Sequence, residues 1–280
     1  MFISDQWQEY KLLDANNGER LEKWGDFTLV RPDPTAFWNL EKKHPAWDKA
    51  DAVYLRSQSG GGEWKFNKKL PEKWIITYKD MQFWVKPMGF KHMGIFPEQA
   101  TNWDFIRENL TQGDRLLNLF AYTGGASLAA AKAGAEVVHV DASKGIIAIA
   151  KDNAELNGFA NHPVRYIVDD CAKFVAREIR RGNKYDAIIM DPPSYGRGTN
   201  GEVWKLEEQI ADLLLLCKQV LSEKAKFVLI NSYTTGISAG GIGALAKIVF
   251  GGEISEGELA LPIEARNVAL PSGCVVRVAF

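Results

Sequence analysis

Cysteine is scarce in this chain of 280 residues, which contains only Cys171, Cys217 and Cys274 and has no CxxC pair or cysteine–histidine cluster. Cysteines spaced so widely predict neither a disulfide framework nor a zinc site. We therefore expect reduced thiols, no bound metal and a cytoplasmic location.

The chain also lacks an excess of charge, since 34 Lys and Arg residues are balanced by 35 Asp and Glu residues. Any contact with nucleic acid must therefore come from a local patch. Asp5 and Glu9 interrupt the N-terminal segment, so no export signal is predicted. The longest uncharged stretch, 227–246, contains Asn231, Ser and Thr residues and four glycines, which predicts a strand and a polar loop and not a membrane span.

Tryptophan is unevenly distributed, because eight of the nine residues precede position 104 and Trp204 stands alone after it. From about residue 113, short apolar runs alternate with amphipathic segments, which predicts an α/β fold with a parallel sheet. The first hundred residues contain short strand-like segments broken by glycine and proline. We expect a small β-rich domain over 1–88, a candidate for substrate recognition, and an α/β domain over 89–280.

The alternation of apolar and amphipathic segments predicts where the strands and helices of the α/β domain lie. Strands are predicted at 115–120, 137–140, 164–168, 187–190 and 227–231, and helices at 125–133, 144–157, 171–181, 204–221 and 242–249. The C-terminal segments GELALPI and GCVVRVAF predict an antiparallel hairpin that closes the sheet. Its loop is predicted to contain Pro271, Ser272 and Gly273.

Residues that suit an adenosine-containing ligand follow the first two predicted strands. The first strand leads into NLFAYTGG, from Asn118 to Gly125, and the second ends at Asp141. Glycines at such a turn let a ligand approach the backbone, and an acidic residue there can accept both hydroxyls of a ribose. A nicotinamide dinucleotide is the rival ligand, but the GxGxxG cradle for its pyrophosphate is missing.

The next two strands end in further acidic residues. Asp170 and Cys171 follow the third strand, where a carboxylate can accept a hydrogen bond from an adenine amino group. DPPSY, from Asp191 to Tyr195, follows the fourth strand. Its two prolines fix the backbone and remove two donors, which predicts a rigid edge with an acidic acceptor and an aromatic ring. Ligands bind beyond the carboxyl ends of such strands, so these groups should meet at one rim.

With these motifs the chain resembles class I S-adenosylmethionine-dependent methyltransferases. NLFAYTGGASLAAAKAGAEVVHVDAS, the Asp170 step and DPPSYGRG look like the first four motifs of the group of bacterial 23S ribosomal RNA large-subunit methyltransferases, which modify cytosine carbon 5 or guanine. The likeness runs from about Gly89 to the C-terminus and includes GFKHMGIFPEQ, which in that group lies over the cofactor. It implies a Rossmann-like methyltransferase sheet and an enzyme that uses S-adenosylmethionine.

The resemblance also implies roles for individual residues. The turn after the first strand would wrap the methionine part of the cofactor, and Asp141 would bind its ribose. The adenine would lie beside the end of the third strand. Phe96, Pro97 and Glu98 would close the other side of the cofactor site. The implied cofactor-binding residues are Phe96, Pro97, Glu98, Asn118, Phe120, Tyr122, Thr123, Gly124, Asp141, Ala142, Ser143, Asp170, Cys171 and Asp191. The implied catalytic residues are Asp191, Pro192, Pro193 and Tyr195, of which Tyr195 is the candidate to stack on a target base.

One departure from the resemblance bears on the target atom. Methylation at cytosine carbon 5 needs a cysteine thiolate, which in those relatives lies just after the fifth strand or within the fourth motif. Here these positions contain Asn231-Ser232-Tyr233 and Asp191-Pro192-Pro193-Ser194. We therefore expect methylation at a nitrogen atom of a base in RNA, with ribosomal RNA as the expected substrate. The alternatives are a methyltransferase for a protein or small molecule, and a noncatalytic RNA-binding protein with a retained cofactor pocket.

A local basic stretch between residues 60 and 95 is the candidate RNA surface. Seven lysines (Lys65, Lys68, Lys69, Lys73, Lys79, Lys86, Lys91) outnumber three acidic residues there. They are interleaved with the aromatic residues Trp64, Phe66, Trp74 and Tyr78. Such patterns suit single-stranded nucleic acid. Solvent-facing lysines on strands whose aromatic residues face a core would give the same pattern.

Overall fold

The computed structural model describes residues 1–57, 61–89, 91–160, 163–197 and 203–280. The chain divides into two compact units, the first made of 1–101 and 259–272 and the second of 102–258 and 273–280. The last two strands of the chain therefore contribute residues to both units. The assignment of separate functions to 1–88 and 89–280 stays a prediction.

The first unit is rich in strands, as predicted. Its strands before residue 101 are β1 (Phe2–Ile3), β2 (Tyr10–Asn16), β3 (Glu19–Trp24), β4 (Phe27–Pro32), β5 (Ala52–Arg56), β6 (Gly62–Phe66), β7 (Trp74–Tyr78) and β8 (Met81–Val85). Strands β2, β3 and β4 pair antiparallel, β5 joins β4 in parallel, and β6 pairs antiparallel with β5. Strands β7 and β8 form a separate two-stranded hairpin.

The interior of the first unit contains a charged network. The fully buried Glu22 accepts hydrogen bonds from Arg31 Nε at 2.6 Å and from the Tyr10 hydroxyl at 2.8 Å. The guanidinium of Arg20 lies 3.2 Å from the same carboxylate. Although burial opposes ionisation, the two arginines lower the pKa of Glu22 to about 2. A buried carboxylate is tolerated here because charged partners surround it.

The second unit contains the predicted α/β sheet. After α1 (Ala100–Asn109), its elements are β9 (Arg115–Leu119), α2 (Gly125–Lys132), β10 (Glu136–Asp141), α3 (Lys144–Leu156), β11 (Val164–Val168), α4 (Cys171–Arg181), β12 (Ala187–Met190), β13 (Tyr195–Arg197), β14 (Val203–Lys205), α5 (Leu206–Gln219), β15 (Phe227–Ser232), α6 (Ala239–Phe250), β16 (Glu253–Ile263) and β17 (Val268–Ala279). The strand order is β11-β10-β9-β12-β15-β17. Neighbours are parallel except β17, which runs antiparallel to β15. This confirms the predicted Rossmann-like class.

Central strands of this sheet are buried on both faces. Every residue of β12 and β15 is buried, as expected when helices cover a parallel sheet. One core cluster joins these strands to α4, α5 and α6, and Leu214 and Cys217 of α5 lie at its centre with no exposed surface. Cys217 is therefore a core residue of α5.

The C-terminal strands form as predicted, but the predicted loop between them is wrong. Strands β16 and β17 are linked by residues 264–267, and Pro271, Ser272 and Gly273 lie inside β17. The reversal uses Asn267 at φ 53°, a left-handed conformation that asparagine tolerates. Proline and glycine were misleading turn signals here, since a strand can hold proline where its missing N–H is not needed.

The core assignment predicts different outcomes for two adjacent leucines of α5. Leu214→Ala should lower the free energy of unfolding by about 2–5 kcal/mol, because it leaves a cavity in the cluster. Leu215 is 51% exposed, so Leu215→Ala should change it by less than about 0.5 kcal/mol. Urea denaturation of both variants measures the difference. Equal losses would show that the face of α5 has been assigned incorrectly.

Candidate functional site

The strand register brings the predicted motifs to one edge of the second unit. Leu119 at the end of β9 pairs with Val140 of β10 and with Met190 of β12. Met190 in turn pairs with Ile230 of β15. The residues that follow these positions therefore share the carboxyl edge of the sheet, where ligands of such folds bind.

The turn after β9 has an unusual backbone. Phe120 and Tyr122 adopt φ values of 54° and 50°, and Gly124 adopts 90°. Bulky residues rarely occupy this left-handed region, and they persist there only when surrounding contacts hold them. Local strain of this kind is concentrated at functional sites.

Asp141 supplies one of the contacts that hold the turn. Its Oδ2 accepts the backbone N–H of Tyr122 at 3.0 Å, and its Oδ1 accepts that of Ser143 at 2.9 Å. Burial raises the pKa of Asp141, and these two hydrogen bonds oppose the rise. Each carboxylate oxygen has two lone pairs, so capacity remains to accept ribose hydroxyls.

The two glycines of the turn serve different purposes. Gly124 precedes α2 in the left-handed conformation that glycine adopts without strain. A Cβ on Gly125 would lie 2.8 Å from the ring of the buried Trp103, so glycine is needed there for packing. Of the pair, Gly124 alone is required by the backbone conformation.

Buried polar side chains support the turn from beneath. Asn118 donates from Nδ2 to Ser127 Oγ at 2.9 Å, and that oxygen lies 3.0 Å from His139 Nδ1. Burial lowers the pKa of His139 to about 3, which keeps its imidazole neutral. The Thr123 carbonyl accepts from Asn153 Nδ2 at 3.0 Å. One N–H of the Asn118 amide, predicted to bind cofactor, is thus used within the protein.

The predicted adenine side lies at the start of α4. Asp170 caps this helix, its Oδ1 accepting the backbone N–H of Lys173 at 2.9 Å. Cys171 is buried, and its Sγ accepts the N–H of Phe120 at 3.3 Å. The thiol therefore ties α4 to the strained turn. Ala142 and Ser143 are exposed nearby in sequence after Asp141.

The edge after β12 combines buried and exposed residues. Asp191 is partly buried, Pro192 is buried, and Pro193 is exposed. Tyr195, the first residue of β13, is 50% exposed. Trp204 on β14 donates its indole N–H to the Pro193 carbonyl at 2.7 Å, a contact that no sequence motif indicates.

Phe96, Pro97 and Glu98 belong to the first unit, where each has contacts. The Pro97 carbonyl accepts the Ser4 hydroxyl at 2.8 Å and the Trp7 indole N–H at 2.9 Å. Burial raises the pKa of Glu98, and the Arg20 guanidinium opposes that rise. Their predicted place over the cofactor stays a prediction.

The three thiols are free, buried and poorly disposed to ionise. Burial raises the pKa of Cys171, Cys217 and Cys274. Cys274 of β17 pairs across from Ser232 at the end of β15, and the Glu258 and Asp191 carboxylates add to its pKa rise. Cys274 is therefore the thiol at the predicted catalytic edge.

The described part of the chain contains no group of three or more His, Cys, Asp or Glu side chains placed to hold a metal ion. None of its helices combines the length and apolar character that crossing a membrane requires.

These features together define a class. A parallel sheet, a left-handed glycine after its first strand and a hydrogen-bonded carboxylate after its second are the features of a Rossmann-like enzyme with an adenosine cofactor. The donor set fits S-adenosylmethionine, since Asp141 can take the ribose and no diphosphate cradle is present in the turn. A profile of the S-adenosylmethionine-dependent methyltransferase family matches residues 43–214, more than half of the chain. The chain belongs to this family, and S-adenosylmethionine is its cofactor.

Named relatives and a solved structure agree with this assignment. The chain is 30% identical over 219 residues to ribosomal RNA large subunit methyltransferase K/L of Colwellia psychrerythraea, covering 71% of this chain and 30% of that protein. It is 43% identical over 86 residues to ribosomal RNA large subunit methyltransferase I of Aeromonas hydrophila, covering 30% and 22%. The chain thus spans under a third of the length of these two relatives. The crystal structure of an S-adenosylmethionine-dependent methyltransferase from Agrobacterium tumefaciens is 37% identical with a TM-score of 0.93, covering 99% of this chain and 92% of that one.

Removal of the Asp141 carboxylate should weaken cofactor binding. Asp141→Ala eliminates the acceptor of the Tyr122 N–H and the predicted acceptor of the ribose hydroxyls, so affinity for S-adenosylhomocysteine should fall by about tenfold or more. Isothermal titration calorimetry measures this, with Glu155→Ala, an exposed acid of α3, as the control. A folded Asp141→Ala variant with wild-type affinity would contradict the assigned ribose site.

Proposed function

We propose that this enzyme methylates a nitrogen atom of a base in RNA, with large-subunit ribosomal RNA as its substrate. The edge after β12 carries this proposal: the acidic acceptor Asp191, two prolines and the half-exposed ring of Tyr195 stand together in sequence at the carboxyl end of the sheet. The three free thiols support a cytoplasmic location.

Methyl transfer asks the protein mainly to orient its reactants. The bound cofactor supplies a methyl group already activated by its sulfonium sulfur. The protein must then hold the acceptor nitrogen in line with that methyl carbon, which accounts for most of the acceleration available. Because Pro192 and Pro193 have fixed φ angles, the edge that faces the acceptor is rigid.

Asp191 suits a nitrogen acceptor. Methylation of an exocyclic amine forms an N–C bond, breaks the S–C bond and releases one proton from the nitrogen. A carboxylate beside that nitrogen can accept its N–H hydrogen bond and thereby orient the lone pair toward the methyl group. A ring nitrogen with a free lone pair needs no base. Tyr195 offers a ring on which the base can stack.

The raised pKa values of the three thiols favour a nitrogen atom over cytosine carbon 5 as the methylated atom. Carbon 5 chemistry requires a thiolate that adds to the neighbouring ring carbon. Burial raises the pKa of all three thiols, and Cys274 at the catalytic edge also lies near the negative Asp191. A thiol in such surroundings is a poor nucleophile near neutral pH.

RNA as the substrate class is supported by the relatives named above and by the basic stretch between 60 and 95. Of its lysines, Lys65, Lys68, Lys69, Lys73 and Lys79 are exposed, whereas Lys86 and Lys91 are partly buried. Gly60 and Phe90 of this stretch lie outside the described residues.

The aromatic residues of the stretch divide into packed and exposed groups. Tyr78 is buried, and Trp74 packs against Phe27 at 4.8 Å between ring centroids. Phe66 is 53% exposed, and the Trp64 ring stacks on it at 6.4 Å. The solvated-face interpretation thus suits β7, while the end of β6 offers a ring beside lysines for base stacking.

Loss of the gene should remove one N-methylated nucleoside from large-subunit ribosomal RNA. Mass spectrometry of digested RNA from a deletion strain measures this, with wild-type protein restoring the modification and Asp191→Ala failing to do so. Unchanged methylated nucleosides would contradict the RNA substrate and favour a protein or a small molecule. Loss of 5-methylcytosine would contradict the nitrogen target.

Substitution of Lys65, Lys68 and Lys69 by Ala should weaken RNA binding and flatten its dependence on salt, because fewer counterions are released. Affinity for S-adenosylhomocysteine should not change. Filter binding across a salt series measures both slopes, with the exposed Lys151, Lys184 and Lys224 replaced by Ala as the control. Equal RNA affinity and equal salt dependence in the two triple variants would mean that Lys65, Lys68 and Lys69 belong to an ordinary solvated surface.

A further inference from the structure

Trp204, the tryptophan isolated from the other eight in sequence, contacts two separate parts of the candidate site. Its indole N–H donates to the Pro193 carbonyl at 2.7 Å. Its ring lies 5.4 Å from that of Phe120, with an interplanar angle of 49°. One side chain thus touches the edge that faces the acceptor and the strained turn after β9.

The Pro193 contact matters because the segment after Asp191 has few ways to be fixed. Pro192 and Pro193 have no N–H groups, so hydrogen bonds to this part of the backbone must be accepted by its carbonyls. Trp204 supplies the donor at Pro193. One residue further, the Ser194 carbonyl accepts the Leu206 N–H at 3.1 Å and the Ser194 hydroxyl accepts from the Thr234 hydroxyl at 2.7 Å.

The Phe120 contact matters for a different reason. Phe120 has φ 54°, a conformation that needs support from its surroundings. Its N–H donates to Cys171 Sγ at 3.3 Å, and the Trp204 ring packs against its side chain. The Trp204 indole therefore contributes to holding a residue of the cofactor turn.

We infer that Trp204 is a positioning residue that sets the cofactor turn and the Asp191–Ser194 edge at the separation that methyl transfer requires. The inference rests on the proposed function for its kinetic consequence. A shift of the acceptor edge by about 1 Å can cost about a hundredfold in rate, because in-line transfer depends on orientation. The indole N–H donates to the Asp191–Ser194 edge, and the indole ring packs against the cofactor turn.

Two variants of Trp204 separate these contacts, and Trp38→Phe is the matched control. Trp204→Phe keeps a ring beside Phe120 but removes the N–H, whereas Trp204→Leu removes both. Trp38 donates its indole N–H to the Ala15 carbonyl at 2.8 Å in the first unit, so Trp38→Phe loses the same kind of hydrogen bond elsewhere.

Kinetics with labelled S-adenosylmethionine and ribosomal RNA from the deletion strain measure kcat and KM, and calorimetry measures affinity for S-adenosylhomocysteine. In Trp204→Phe we expect kcat to fall about tenfold, with affinity within about twofold of wild type. Trp204→Leu should also bind S-adenosylhomocysteine about fivefold or more weakly, and Trp38→Phe should change neither quantity. Wild-type kcat in Trp204→Phe, or an equal fall in Trp38→Phe, would overturn the inference.

An NMR readout needs no RNA and separates this inference from the proposed function. In protein labelled with ¹⁵N-tryptophan, the indole signal absent from Trp204→Phe identifies Trp204. Because the Trp204 ring packs against Phe120 of the cofactor turn, we expect that signal to shift when S-adenosylhomocysteine binds. A signal that does not shift would overturn the link between Trp204 and the cofactor turn. If the signal behaves as expected but wild-type protein methylates no RNA, the proposed function fails and the link stands.

Discussion

The carboxylate of Asp141 is the constraint on which the candidate site depends. It accepts N–H groups from Tyr122 in the turn after β9 and from Ser143 at the start of α3. Tyr122 adopts a left-handed conformation that a bulky residue avoids, so this acceptor offsets local strain. The same group is the predicted acceptor of the ribose hydroxyls. One side chain would then both hold the turn and recognise the cofactor.

From this carboxylate, contacts continue toward the acceptor edge. The Cys171 thiol accepts the N–H of Phe120, and the Phe120 ring packs against Trp204, whose indole binds the Pro193 carbonyl. The residues predicted to surround the cofactor and the acceptor are thus held by contacts with one another and with Trp204. Such preorganisation suits a reaction in which orientation supplies most of the acceleration.

How much the sequence could predict depended on whether the signal was local. Val164–Val168 and Ala187–Met190 were predicted to the residue, because short segments rich in β-branched or aromatic residues and bounded by turn signals define strands. The shared rim of the strand ends followed from topology alone. Pro271 inside β17 was missed because a proline carries the same local signal in a turn and in a strand. The buried Arg31–Glu22 pair and the Trp204–Phe120 contact join distant positions, so charge or ring type alone could not reveal them.

A crystal structure of the protein bound to S-adenosylhomocysteine tests the central claim most directly. We expect both ribose hydroxyls to lie within hydrogen-bond distance of the Asp141 carboxylate, and the sulfur to face the Asp191–Ser194 edge with open space between them for a planar base. A ligand seated elsewhere, or a ribose turned away from Asp141 with the sulfur directed from that edge, would contradict it.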